Sequence, residues 1–503
     1  MSKAENIRKF EEWEKKTAAF SFMMSIVNVD TINGSPSQGM KKRIEYTSLL
    51  SGELFALQND PDNRRVMEEL IKEEDLDPVL RRRVQLHLRR IAASAALTKE
   101  DVVSYRTILA DSEQAWLKYK PASDWKSYYP YLEKLISAHI EQTRKVAEAT
   151  GKGDWDLYDV MLDDNMEGWN RAKYDDFFDQ VKARLVPLIK KIGQADPVDT
   201  SFLDQPYDKD KQRLLMKEIV EYVGFTPDWG KYGESEHPLT SGVLEGDVRF
   251  TTKFTDRNPT DAVLSTVHET GHAWYTHDID PAYDGTILIH GMDAGMHESQ
   301  SRLCENHLGR SRAFWEVNFP KMKAIFPQQL EGVDLDRFMR ALNVVKPSLV
   351  RTQADEVTYP LHILIRYEIE KDLLTGKADI EHLNQRWNEL YQEYLGVTVP
   401  CDRDGILQDL HWPYAYFGYF PTYALGSAFA AQFYRAMSKD IDVDQLLRTS
   451  QYTKITAWMK EHIHKYGALY PADKVMELAT GESFNVTYYL DYLEEKYSRI
   501  YDL

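Results

Sequence analysis

Cysteine is almost absent from this chain. Cys304 and Cys401 are its two thiols in 503 residues, which excludes a disulfide framework and points to a reducing, cytoplasmic setting. Positive charge is in deficit as well. Lys and Arg total 62 against 80 Asp and Glu, a formal net charge of −18; phosphate recognition runs on a positive field, so nucleic acid is excluded as the main partner. An apolar leader is missing, since MSKAENIRKFEEWEKK places charge where a secretory signal needs an apolar stretch, and export is not expected. One run without charged side chains, residues 413–433, has about the length of a membrane span. Its two prolines, two glycines and four tyrosines would leave polar groups in lipid, so it reads as an aromatic-rich wall within the protein, and no membrane is expected.

What remains is globular in composition, 43% hydrophobic and 28% charged, so disorder is not the expectation. At about 150 residues per domain the length suits roughly three domains or one multi-lobed one. Apolar residues recur at three- and four-residue spacing through the first two hundred positions, as at 129–146, with breaks at Pro61, Pro78, Pro121 and the GKGD turn at 151–154. The basic run RRRVQLHLRR at 81–90 follows an acidic segment and carries Val84, Leu86 and Leu88, so it reads as a solvated helix face or subunit contact. From about Gly233 to Phe254, stretches rich in Val, Phe and Thr divided by Gly242 and Gly246 predict a small antiparallel hairpin. Asn258 and Pro259 then predict a helix cap and first turn. The expectation is a mainly α chain, with residues 1–230 mostly helical and residues 231–503 carrying the small sheet and the site helices.

The next helix contains His268-Glu269-Thr270-Gly271-His272. Residues four apart on a helix share a face, so both imidazoles can reach one ion, and Glu269, about 100° round from His268, can address a water beside it. Gly271 costs about 1 kcal/mol against Ala inside a helix, which predicts a second backbone packed against it. A catalytic zinc needs a third protein ligand and an open position. Glu298, in the following helical segment, is the candidate, with His297 competing on the same turn.

Six ordered blocks now resemble the carboxypeptidase Taq family of metallocarboxypeptidases. They are His237-Pro238-Leu239, the Asp-x-Arg-x-Thr run from Asp247 through Arg249 to Thr251, His268 to His272, His297-Glu298-Ser299-Gln300, the run from Val350 and Arg351 to Ala354-Asp355, and the run from Gly405 through Gln408-Asp409 to His411-Trp412. Leu239 and Val350 depart from that family's Phe and Ile, both apolar exchanges.

The resemblance implies a two-lobed helical metallopeptidase with a deep central groove, similar to neurolysin-like and angiotensin-converting-enzyme-like peptidases. It also implies a homodimer acting on short peptides with a free C-terminal carboxylate, with broad specificity. Zn²⁺ would be held by His268, His272 and Glu298, with Co²⁺ able to substitute, and Glu269 would serve as general base. Arg351 would read the substrate carboxylate; the competing reading is an ion pair with Asp355 four residues on. Arg249 is a second substrate-binding candidate, or else a partner of Asp247. Tyr423 would stabilise the oxyanion, with His411 and His237 as alternatives, while Tyr414, Tyr416 and Tyr419 line the wall; Gln408 completes the substrate-binding set. The rival functions are an endo-acting zinc oligopeptidase of similar fold and a non-catalytic helical binding protein.

Overall fold

Helices run where the apolar spacing predicts them, and several begin at a proline, while Pro130, Pro187 and Pro320 lie within helices. The computed structural model describes residues 2–32, 35–244, 246–291 and 293–503. Pro61 and Pro78 each open a helix, Pro61–Leu70 and Pro78–Ala95, at the position where a missing N–H is harmless. The 129–146 spacing falls within Trp125–Ala149, which buries Tyr128, Leu132, Leu135 and Ile136. The basic run at 81–90 is spent on the protein itself. Arg83 donates from Nε to Glu14 at 3.0 Å, and Arg81 caps the carbonyls of Ile71 and Glu73 just past the preceding helix. Residues 413–419 form turns, and Phe420–Asp440 is a helix whose Ala424, Leu425, Ala428 and Phe429 are fully buried. Among the described residues no helix is long and apolar enough to cross a membrane.

The chain divides into two compact units, each assembled from three stretches. The first comprises residues 1–91, 199–342 and 433–484, and the second residues 92–198, 343–432 and 485–503. In the second unit an aromatic core gathers around Tyr367, whose ring lies 4.9 Å from Phe178 and 5.8 Å from Tyr174. In the first unit the core forms between a small sheet and the helix Pro259–His277, with Val248, Phe250, Val263 and Val267 buried.

That sheet differs from the expected antiparallel hairpin. It has three strands, β1 (Gly230–Glu234), β2 (Leu239–Leu244) and β3 (Asp247–Thr252), in the order β1-β3-β2. β2 and β3 pair antiparallel as expected, but β1 joins the other edge of β3 in parallel. Its sequence GKYGE, with two glycines and two charges, carries no alternation that a strand reading can detect. Gly242 also lies inside β2 instead of dividing strands: a Cβ there would come 2.5 Å from the Thr276 methyl, so glycine lets β2 press directly on the helix.

The predicted close approach at Gly271 is present. A Cβ there would sit 2.6 Å from the backbone oxygen of Gln300 and 2.7 Å from the Cα of Ser301, so the helix Ala294–Arg302 lies against Pro259–His277 with no side chain between them at that point. Because backbone cannot yield as a side chain can, Gly271→Ala is expected to destabilise the protein by about 3 kcal/mol, in the upper range for overpacking. Urea denaturation checks this; an unchanged midpoint would contradict it.

Candidate metal centre

The helix Pro259–His277 starts as the sequence suggests, with Pro259 in its first turn, but Asn258 caps it differently. Asn258 adopts a left-handed backbone at φ 42°; its amide donates to Asp261 and its carbonyl accepts from Thr260 Oγ1. One turn apart further along, His268 and His272 place their ring centroids 5.0 Å apart. The helix Ala294–Arg302 brings Glu298 to them, with Oε2 at 3.8 Å from His268 Nε2 and 3.5 Å from His272 Nε2. Ligand atoms about 2.1 Å from a tetrahedral cation lie about 3.4 Å apart, so these three donors fit one divalent ion, and their ligand atoms all fall within 4.8 Å of one another.

The neighbours of the three donors fix their chemistry. His268 Nδ1 lies 2.9 Å from Glu305 Oε2, which makes Nδ1 the protonated nitrogen and leaves the Nε2 lone pair for a metal. His272 Nδ1 lies 2.7 Å from His297 Nδ1. Burial, followed by the adjacent His272, lowers His297 to about 3, so His297 is neutral and accepts from His272. The sequence left His297 as a competing ligand; the three donors that converge here are His268, His272 and Glu298.

Arg302 closes a ring by donating to Glu298 Oε1 at 2.7 Å and to Glu305 Oε2 at 3.1 Å. Burial alone would raise both carboxyls, but Arg302 and the imidazoles outweigh it. Glu298 is held well below the usual carboxylate range, and Glu305, with Arg310 assisting, falls to about 2. Both are anions, suited to a cation. Glu305 comes from a π-helical turn, Leu303–Gly309, whose wider winding also buries Cys304, and burial pushes that thiol up to about 12. Glu269 is 6% exposed and its Oε2 accepts from the Thr240 hydroxyl.

A second cluster forms in the other unit around Arg351. Its guanidinium donates from Nε and Nη2 to Asp409 Oδ1 at 3.2 and 3.0 Å, while Arg366 donates from Nε to Asp409 Oδ2 at 2.6 Å. Asp355 is not its partner: Asp355 accepts from the backbone N–H groups of Lys346, Val357 and Thr358. Gln408 braces the cluster, accepting from Arg351 N and Arg366 Nη2 and donating to the carbonyls of Leu349 and Asp404. Tyr423 presents its ring 5.1 Å from the Arg351 guanidinium carbon, and its hydroxyl lies 3.3 Å from His411 Nε2. Burial, then the charge of Arg351, lowers His411 to about 3, so it is neutral. Of the other candidates, His237 lies exposed between β1 and β2, and Arg249 is clasped within β3 by Asp247 at 2.8 and 2.7 Å.

A family model for carboxypeptidase Taq (M32) metallopeptidases matches residues 9–497. The chain belongs to that family. Carboxypeptidase 1 of Bacillus subtilis is 35% identical to it over 497 residues, 98% of each chain. The thermostable carboxypeptidase 1 of Thermus thermophilus is 32% identical over 502 residues, 97% of this chain and 98% of that one. The crystal structure of the M32 carboxypeptidase from Deinococcus radiodurans R1 matches with a TM-score of 0.94 at 32% identity, covering 99% of this chain and 100% of that one. The resemblance read from the six blocks is thereby borne out, as is the mainly helical fold with a small sheet. As a member of the M32 family the chain is a metallocarboxypeptidase, a peptide hydrolase that works with a divalent metal.

Sequence reasoning overlooked several residues of these clusters, Arg302 among them. Glu305 follows Glu298 by two helical turns, a spacing that places it on the ligand face, and Asp409 adjoins Gln408 in a quoted block. Arg366 and Thr240 carried no sequence signal. If Glu305 orients His268, Glu305→Gln weakens metal affinity about 10- to 100-fold, read by competition with a chelator of known affinity; unchanged affinity would remove Glu305 from that role.

Proposed function

We propose that this M32 enzyme is a zinc-dependent carboxypeptidase of broad specificity, releasing one residue at a time from the C-termini of short peptides. The observation that carries the end specificity is the buried pair Arg351 and Arg366 sharing one carboxylate, Asp409. Two guanidiniums against one carboxylate leave positive charge in a dry site, which a substrate carboxylate neutralises. Asp409 takes the Nε side of Arg351; the Nη1–Nη2 end, touched by the Tyr359 hydroxyl at 3.4 Å, is the fork that suits a planar carboxylate.

The His₂Glu donor set suits Zn²⁺, with Co²⁺ a competent substitute. When bound, the metal supplies a Lewis acid that polarises the scissile carbonyl and makes water a better nucleophile at neutral pH. Glu269 removes the proton from the attacking water and returns it to the departing amine. Tyr423 donates its hydroxyl to the developing oxyanion, with His411 as the alternative donor; His411 Nδ1 is buried with no hydrogen-bond partner among the described residues. Gln408 acts by holding the Arg351 backbone. His237 and Arg249 stay as candidates for substrate contact, Arg249 with its guanidinium already paired to Asp247. We read the 503 residues as one two-lobed catalytic domain. Placement in the cytoplasm rests on two unpaired cysteines, and the homodimer on the family resemblance.

Two measurements test this function. Glu269→Gln should retain its metal by elemental analysis and lose activity about 10²- to 10⁴-fold; retained activity would overturn the general-base role. Amidating the C-terminus of a good peptide substrate removes the anion that Arg351 holds, so kcat/KM should fall about 10- to 150-fold. Equal cleavage of acid and amide would instead support an endo-acting oligopeptidase, and cleavage that survives chelation would refute the metal mechanism.

A further inference from the structure

The carboxylate of Glu269 is held by a residue from a different element. Thr240 Oγ1 lies 2.6 Å from Glu269 Oε2 and 3.0 Å from the backbone oxygen of the same residue. The hydroxyl has one proton, and the shorter, charge-assisted contact claims it. One carboxylate oxygen is therefore fixed, and the other is left to meet water. From these contacts we infer that Thr240 is the positioning residue for the general base, holding the Glu269 rotamer through the catalytic cycle. This inference rests on the assignment of Glu269 as base.

Proton transfer leaves this contact in place. The attacking water meets Oε1, so Oε1 takes and later releases the proton, while Oε2 goes on accepting from the Thr240 hydroxyl, which also lies 3.0 Å from the Glu269 backbone oxygen. Thr240 keeps its proton throughout; the transferred proton travels from water to Glu269 and on to the amine leaving group.

The sheet places Thr240 accurately. In β2, Thr240 pairs with Phe250 and Gly242 with Val248, so the two share the face turned toward the helix Pro259–His277. On that helix Glu269 and Thr276 are seven residues apart and share a face in turn. The pairs meet in parallel, Thr240 on Glu269 and Gly242 on Thr276. A Cβ at Gly242 would lie 2.5 Å from Thr276 Cγ2, and Thr276 is anchored because its hydroxyl donates to the His272 carbonyl at 3.1 Å. Glycine at 242 thus sets the strand-to-helix spacing that lets a short Thr side chain reach the base.

Steady-state kinetics of Thr240→Val, Thr240→Ser and Glu269→Gln, each with metal content and thermal midpoint measured, test the inference. Val keeps the shape and removes the hydroxyl; Ser keeps the hydroxyl. Expected is a fall in kcat of about 10- to 100-fold for Thr240→Val, with KM within about twofold and metal content unchanged, and recovery of most of it in Thr240→Ser. Unchanged kcat in Thr240→Val, or an equal fall in both variants, overturns the role of Thr240. Full activity in Glu269→Gln overturns the base assignment itself, a separate failure. Should Thr240→Val not fold, Gly242→Ala probes the same contact through spacing. Its kcat should fall, and Thr276→Ser, which removes the obstructing methyl, should restore it; failure to restore also counts against the inference.

Discussion

Backbone-to-backbone contact at Gly271 is the constraint on which the metal centre depends. Two histidines on one helix supply two ligands by local geometry alone, but a third must come from elsewhere at a fixed distance. The absence of a Cβ at position 271 lets the Gln300 carbonyl and the Ser301 Cα settle on the histidine helix, and Glu298 reaches both imidazoles as a result. The contact is held from outside as well. His464 is fully buried, with Nε2 3.0 Å from Gln300 Oε1 and Nδ1 3.4 Å from Asp278 Oδ2, and Asp278 caps the end of the histidine helix.

Each unit contains a buried cluster of acidic and basic side chains. In the first, Arg302 and the neighbouring imidazoles keep Glu298 and Glu305 ionised, with Arg310 assisting at Glu305, and a divalent cation would complete the donor set. In the second, Arg351 and Arg366 divide one aspartate. Burying a charge in a poorly solvated interior is unfavourable unless it is matched, so the second guanidinium beside Asp409 carries a cost that the fold sustains.

The parts of this picture that the sequence disclosed are those fixed by local geometry. The i, i+4 histidines, the close backbone approach at Gly271 and the helix start at Pro259 follow from a few neighbouring residues, and all appear as expected. Glu298 was separated from His297 only by the structure, because both lie on one helical turn. The Arg351 partner was illegible for a different reason. Asp355 stands four residues away and offers an ordinary helix pair, yet Arg351 lies in a 3₁₀ turn and reaches Asp409, 58 positions on. The parallel strand β1 and the π-helical turn escaped because neither carries a compositional signature: pairing partners and hydrogen-bond register decide them. Thr240 escaped because a single hydroxyl in a strand looks like any other.

The interleaving of the two units bears on how this enzyme is made. A nascent polypeptide that has emerged as far as Glu298 already holds all three ligands, but the first unit stays unfinished until residues 433–484 leave the ribosome. His464, which ties down Gln300, belongs to that late stretch. The intervening residues of the second unit cannot finish early either, since its last segment, 485–503, comes later still. Both units are therefore completed by long-range contacts with segments made near the end of synthesis, the slow and aggregation-exposed regime of folding.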